Sequence, residues 1–269
     1  MKAMVLAAGL GTRLRPLTDD RPKALVEVGG KTLLEITLAR LRRAGVREVI
    51  VNVHHFADKV ADFLKQHDFG MRVEISREDG ELLDTGGGLK KAGWFFMETP
   101  DQPFLLHNVD VISDIDLPRM AAEHSRSGAL ATLAVQPRKT SRTLLFDGDG
   151  LLCGRRTGDG APEIVGAPSQ TERCGPAVPA GRTGDTPVPH VDLAGLEPLA
   201  FAGIHVISPR IFSLMSETGV FPIVPCYLRL AGAGEKIAAF RADPYRWRDL
   251  GRPEDLKKAA DDLRNETPD

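Results

Sequence analysis

Cysteine is scarce in this chain of 269 residues: Cys153, Cys174 and Cys226 are three, an odd number, and far apart. That excludes a disulfide framework and zinc-ligand spacing, and free thiols in a reducing compartment are the simplest expectation. An excess of positive charge is also missing. Lys plus Arg number 35 against 37 Asp plus Glu, a net charge of -2, so no broad basic field is available to hold a nucleic-acid backbone, and any phosphate bound here belongs to a small molecule. No apolar run is long enough to span a bilayer, and the N-terminus enters a strand without a charged leader and cleavable apolar stretch. The chain is therefore expected in the cytoplasm, with no membrane partner. Neither a Ser-His-Asp order nor an activated cysteine can be assembled. His54 and His55 end a strand with no partner at metal-ligand spacing, and His107 is read as structural. What the composition does supply is 42% hydrophobic residues, enough for a sizeable core in one domain spanning 1–269.

Two common phosphate loops are missing as well. A dinucleotide fingerprint starting at Gly9 and Gly11 needs glycine or alanine at position 14, where Leu14 stands. That weakens a second enzyme class, an NAD-dependent oxidoreductase. The trio Gly30, Lys31 and Thr32 looks like the tail of a Walker A loop, yet its first glycine would fall on Leu25. Gly29 and Gly30 are better read as a turn before a helix. What is present between Val5 and Lys23 is VLAAGLGTRLRPLTDDRPK. An apolar run leads into small residues and two glycines, which lets backbone N–H groups approach an anion without Cβ interference. Arg13 and Arg15 follow, and Lys23 sits behind the stiff Pro22. Together they form a phosphate cradle.

The segment resembles the signature of the sugar-1-phosphate nucleotidyltransferases, G-x-G-T-R-L-x-P-L-T followed by a P-K pair. Gly9, Gly11, Thr12, Arg13, Leu14, Pro16, Leu17, Thr18, Pro22 and Lys23 match at the family's spacing. The resemblance implies that Ala8, Gly9, Gly11, Thr12, Arg13 and Lys23 hold a nucleotide. A second cluster, Thr85-Gly86-Gly87-Gly88, opens a helix; its glycines are expected to permit close approach of a flat ligand such as a nucleobase, and by resemblance Thr85 and Gly86 contact base and ribose. The T-G-G-G form looks most like the N-acetylmuramate-1-phosphate uridylyltransferases and the mannose-1-phosphate guanylyltransferase-like members.

Asp110 follows an apolar strand, and a carboxylate at a strand's end beside a phosphate cradle suits Mg²⁺, which prefers one or two carboxylates plus phosphate oxygens. Trp247-Arg248-Asp249-Leu250-Gly251 matches the family's W-x-D-x-G, which gives Asp249 the role of second metal ligand by resemblance. Asn108 and Gly203 are the implied sugar contacts. Val109 stands where the family has glycine and is expected to tighten the substrate side. The implied reaction condenses a nucleoside triphosphate, UTP or GTP, with a sugar 1-phosphate. A non-catalytic nucleotide-sugar sensor on the same fold is the alternative.

Apolar periodicity alternates between strand and helix. Leu34, Thr37, Leu38 and Leu41 mark a helix closed by Gly45, Val49–Val53 a strand, Phe56, Val60, Phe63 and Leu64 a second helix, and Met71–Ser76 a strand. Phe104–Leu106 and Ala129–Val135 are further strands, with Asp116 and Pro118 opening a helix between them. This order favours a layered α/β sheet. By resemblance it is a Rossmann-like three-layer α/β/α sandwich with a mostly parallel, mixed central sheet of the nucleotide-diphospho-sugar transferase type. Residues 157–198 interrupt the pattern with seven prolines and seven glycines. They read as a low-complexity surface insertion between a hairpin ending near Cys153 and the strand Leu199–Ile207, with Cys174 and His190 incidental.

Overall fold

A computed structural model describes residues 1–165 and 195–265, with side chains to residue 261. β1 (Lys2–Leu6) runs into the glycine loop, which leads to a small hairpin of β2 (Glu27–Val28) and β3 (Lys31–Thr32) and then to α1 (Leu33–Arg43). Gly29 and Gly30 turn that hairpin at φ of 60° and 80°, a region that disfavours side chains. Thr32 and Glu35 close a reciprocal capping box, so the start of α1 is fixed just beyond the loop. The chain continues through β4 (Glu48–Val53), α2 (Ala57–Gln66), β5 (Arg72–Arg77), α3 (Asp84–Lys91), α4 (Gly93–Met97) and β6 (Phe104–Asn108). Phe56 is not part of α2; it precedes the helix in the left-handed region at φ 53°.

The second half begins with β7 (Val111–Ser113) and α5 (Leu117–Ser127), whose N-cap Asp116 accepts the Arg119 amide at 2.9 Å. β8 (Ala131–Gln136), the hairpin of β9 (Arg142–Phe146) and β10 (Leu152–Thr157), and β11 (Glu163–Ile164) follow. Beyond the insertion come β12 (Glu197–Ile207), α6 (Ile211–Leu214), α7 (Ile223–Gly232), β13 (Ile237–Arg241), β14 (Trp247–Asp249) and α8 (Pro253–Asn265). The hairpin therefore runs past Cys153 to Thr157 and gains a third strand, because Gly154 and Arg155 still pair with Ile164 and Glu163. Cys174, His190 and the central part of the Pro/Gly-rich stretch lie outside the described residues.

The central sheet has the order β5-β4-β1-β6-β12-β8-β13. β5, β4, β1 and β6 are mutually parallel, β13 is parallel to β8, and β12 is antiparallel to both β6 and β8. One strand thus runs against six, which makes the sheet mixed and mostly parallel. Successive side chains of a strand face opposite ways, and here both faces are buried. Ala3 and Val5 join one core with Leu34, Leu38 and Leu41 of α1 and Val60 of α2, while Met4 joins the other with Phe95 and Phe96 of α4 and Tyr227 of α7. Two apolar cores, one on each face, make the three layers. β1 and β6 are neighbours and parallel, so the loops that follow them leave at the same edge of the sheet, where open α/β sheets bind ligands.

Candidate active site

The loop after β1 is held from within. Gly11 adopts φ 67°, and a Cβ there would lie 3.0 Å from the Thr18 methyl and 3.2 Å from Lys23 Cβ. Thr18 Oγ1 donates to Gly11 O at 2.9 Å, and Leu14 is fully buried beneath the turn. Leu14, the residue that breaks the dinucleotide fingerprint, is thus the loop's apolar anchor. Ala8 and Gly9 line a cavity of about 380 Å³ together with Asn52, Thr85, Asn108 and Asp110. A Cβ on Gly9 would meet nothing within 4 Å, so its missing side chain leaves room in the cavity and not in the protein. Thr12 is exposed on the short turn after Gly11. Arg15 is 69% exposed and pairs with Asp19 at 3.5 Å, so it faces solvent.

Lys23 is 8% exposed, and its ammonium forms an ion pair with Asp110 Oδ2. Asp110 is brought there by the end of β6, and Asp249 is brought beside it by a separate ribbon. β14 pairs antiparallel with β7, placing Asp249 opposite Val111, and Leu250 donates its amide to Asp110 O at 2.8 Å. Arg40 of α1 braces this ribbon through Ser113 Oγ and Ile115 O. Asp249 Oδ2 lies 4.0 Å from the Arg13 guanidinium, while Oδ1 is buried with no hydrogen-bond partner. Burial raises the Asp249 pKa, as does the neighbouring Asp110 charge; Lys23 and Arg13 oppose the shift. Gly251 explains the last letter of its motif, since a Cβ there would fall 2.7–2.9 Å from the Arg13 guanidinium. Lys23 pairs with Asp110 and Arg13 with Asp249, and Leu250 bonds the two aspartate segments together; of the four side chains Asp110 lines the cavity.

An unpartnered buried carboxylate oxygen beside a second carboxylate fits a cation better than it fits a folded protein left to itself. Among the described residues no group of three or more His, Cys, Asp or Glu could hold a metal. Two carboxylates are nonetheless what Mg²⁺ takes from a protein when phosphate oxygens and water complete its shell.

The other end of the cavity differs from expectation. Gly86, Gly87 and Gly88 lie inside α3 and are buried, and the space they leave is filled by the chain itself. A Cβ on Gly86 would sit 2.4 Å from the Phe221 ring, one on Gly87 2.5 Å from Gly219 O, and one on Gly88 2.7 Å from Glu78 Oε1. The amides of Gly86 and Gly87 both donate to Phe221 O. Close internal packing therefore accounts for the three glycines. Thr85 does line the cavity, and its hydroxyl accepts the Ile223 amide at 2.9 Å. Val109 is a second correction: it is 5% exposed and packs in the core on the α1 face, so it does not narrow the substrate side. Gly203 sits at φ 73° in an irregular stretch of β12, and a Cβ there would lie 2.7 Å from Asn108 Nδ2. The two implied sugar contacts are thus in contact with each other.

Several site residues escaped the sequence reading. Asn52 accepts the Ala7 amide at 2.8 Å and donates to Glu78 Oε1 at 2.6 Å, while Glu78 Oε2 accepts the Leu83 amide at 2.9 Å. This buried chain ties the glycine loop to the start of α3. An amide inside the apolar run Val49–Val53 was the available signal. Asp84, at φ 59°, and Val220 also line the cavity.

The nucleotidyl transferase family profile matches residues 2–144. The chain is 34% identical over 261 residues to the N-acetylmuramate alpha-1-phosphate uridylyltransferase of Caulobacter vibrioides, covering 94% of this chain and 92% of that protein. It is 37% identical over 137 residues to a mannose-1-phosphate guanyltransferase of Emericella nidulans, half of this chain and 37% of that protein. In fold it is similar to the crystal structure of HddC from Yersinia pseudotuberculosis, with a TM-score of 0.70, 21% identity, and coverage of 97% of this chain and 99% of that one.

Proposed function

The chain belongs to the nucleotidyl transferase family, and we propose that it condenses a nucleoside triphosphate with a sugar 1-phosphate, releasing pyrophosphate. The full-length similarity to a uridylyltransferase favours UTP, with GTP as the second candidate, and favours N-acetylmuramate 1-phosphate as acceptor. The observation that carries the reading is the grouping of two ion pairs, Lys23 with Asp110 and Arg13 with Asp249, beside a cavity that Asp110 lines.

The attacking group, a sugar phosphate, is already an anion near neutral pH, so no general base is required. The protein has to bring two polyanions in line and neutralise charge at the α-phosphorus. Arg13, largely exposed over Gly251, is placed to hold the departing β- and γ-phosphates. Lys23 leaves Asp110 to bridge the α-phosphate and the incoming phosphate. Asp110 and Asp249 would hold Mg²⁺, which withdraws charge from the α-phosphate when bound. Asn108 and Gly203 form the sugar side. Among the described residues no helix is long and apolar enough to cross a membrane; independently of that, we assign the reaction to the cytoplasm.

The test is pyrophosphate release with Mg²⁺, each triphosphate and a panel of sugar 1-phosphates. Lys23→Ala is expected to lower turnover by about two orders of magnitude or more while the circular dichroism spectrum stays that of the parent. Full activity in that variant defeats the mechanism, and nucleotide-sugar binding without pyrophosphate release identifies a sensor.

A further inference from the structure

The mechanism leaves one half-buried cation beside the site without a task. Arg138 follows β8 and Pro137, and its guanidinium carbon lies over the Trp247 ring, 3.8 Å from the centroid. One terminal nitrogen donates to Phe201 O at 2.7 Å, and Trp247 Nε1 donates to the next carbonyl, Ala202 O, also at 2.7 Å. These two carbonyls immediately precede Gly203, which packs on Asn108. Trp247 and Asp249 are two apart on β14 and so share one face of that strand. Arg138 is therefore fixed on the sugar side of Asp249.

Its partners are neutral. Nε is buried with no hydrogen-bond partner, and among the described residues the guanidinium has a carbonyl and an indole face but no carboxylate within ion-pair distance. Burial lowers its pKa, and the charge of Asp249 only partly opposes the shift. A half-buried guanidinium held by a carbonyl and an indole face, with donors left over, is a receptor for an oxyanion. Arg13 and Lys23, with the metal, already account for the phosphates of both substrates.

Resting on the transferase reading above, we propose that Arg138 is a specificity-determining residue that binds a carboxylate carried by the sugar 1-phosphate, selecting acidic sugars over neutral ones. The acceptor of the Caulobacter relative, N-acetylmuramate 1-phosphate, is of this class.

The experiment measures steady-state pyrophosphate release by the full chain with N-acetylmuramate 1-phosphate and, in parallel, with the neutral N-acetylglucosamine 1-phosphate. Arg138→Gln is expected to raise KM for the acidic sugar roughly 10- to 100-fold, the range for losing a hydrogen bond to a charged group, with KM for the triphosphate and for the neutral sugar unchanged. Arg138→Lys, which keeps the charge but not the planar fork, recovers part of the loss. An equal loss with both sugars means that Arg138 reads the 1-phosphate, and a loss that extends to KM for the triphosphate means that it only braces β12; either result overturns the proposal. So does a parent enzyme with no preference for the acidic sugar. If no sugar 1-phosphate is turned over by the parent, the transferase reading fails first, and titration calorimetry of both sugar phosphates against parent and Arg138→Gln still decides whether the arginine binds the acid.

Discussion

At the scale of single residues, Asp249 is a poorly satisfied group. One carboxylate oxygen is buried without a partner and the other is 4.0 Å from Arg13. Its pKa is raised by burial and by Asp110, so the folded state holds the proton more tightly than the unfolded state does. Stability drawn from this group is present at low pH and is lost as pH rises through the folded-state value. Ionising the side chain therefore burdens the fold until a cation arrives. Asp249→Asn is expected to keep or slightly raise the melting temperature without metal, to abolish the rise that Mg²⁺ gives the parent, and to lower turnover by about two orders of magnitude. Differential scanning fluorimetry with and without Mg²⁺, beside the pyrophosphate assay, checks all three. A parent melting temperature that ignores Mg²⁺ removes the metal from the account.

At the scale of elements, α3 is the part whose purpose changed most between sequence and structure. Its glycines let Phe221 and Gly219 lie against the helix, and the segment they belong to carries Val220 to the cavity wall. Gly86→Ala would place a methyl 2.4 Å from the Phe221 ring and 2.8 Å from Phe221 O. Overpacking of this kind costs about 1–3 kcal/mol, and the displaced wall is expected to raise KM for the triphosphate. Gly9→Ala is the control: it opens onto the cavity, so urea unfolding should report an unchanged midpoint for it and a lowered one for Gly86→Ala. The glycine loop, β4 and the turn before α1 were legible because each rests on a local rule: small residues before cations, an apolar run, a pair of glycines ahead of a helical pattern. The α3 glycines were legible as a cluster but not in purpose, because the atoms that fill their space come from positions 219–221, far along the chain. The β7–β14 ribbon was invisible for a similar reason, since two three-residue strands give no periodicity and are held by Arg40 of α1. Asp110 was read from its place at a strand's end beside the glycine loop, and Asp249 only through the family's W-x-D-x-G motif. Arg138, outside any motif, was not found.

At the scale of the whole molecule, the two cores that sandwich the sheet enclose histidines that have to stay neutral. His107 of β6 and His205 of β12 are fully buried, the latter bonded through Nδ1 to the Tyr227 hydroxyl at 2.9 Å. His124 of α5 is bonded through Nδ1 to Thr132 Oγ1 at 2.9 Å. Burial is the main cause in each case, with a further push from Arg40 on His107, from His107 on His205 and from Arg210 on His124. The three pKa values are driven from 6.5 down to about 3, about 3 and about 4 respectively. Below pH 6.5 the unfolded chain takes up protons that the folded chain refuses, so stability falls with pH across the window from 6.5 to about 3. By pH 5 each histidine can remove about 2 kcal/mol, a large share of a typical domain's 5–15 kcal/mol. Ordinary carboxylates have scarcely begun to titrate there, so the early part of the acid transition belongs to these imidazoles. Urea midpoints measured from pH 7.5 to 5.0 are expected to fall steadily once below 6.5, with the activity lost in the same range recovered on returning to pH 7.5. A midpoint that stays flat to pH 5.0 would mean that the histidines gain protons in place, and that the layer between β12 and α7 admits water that its packing denies.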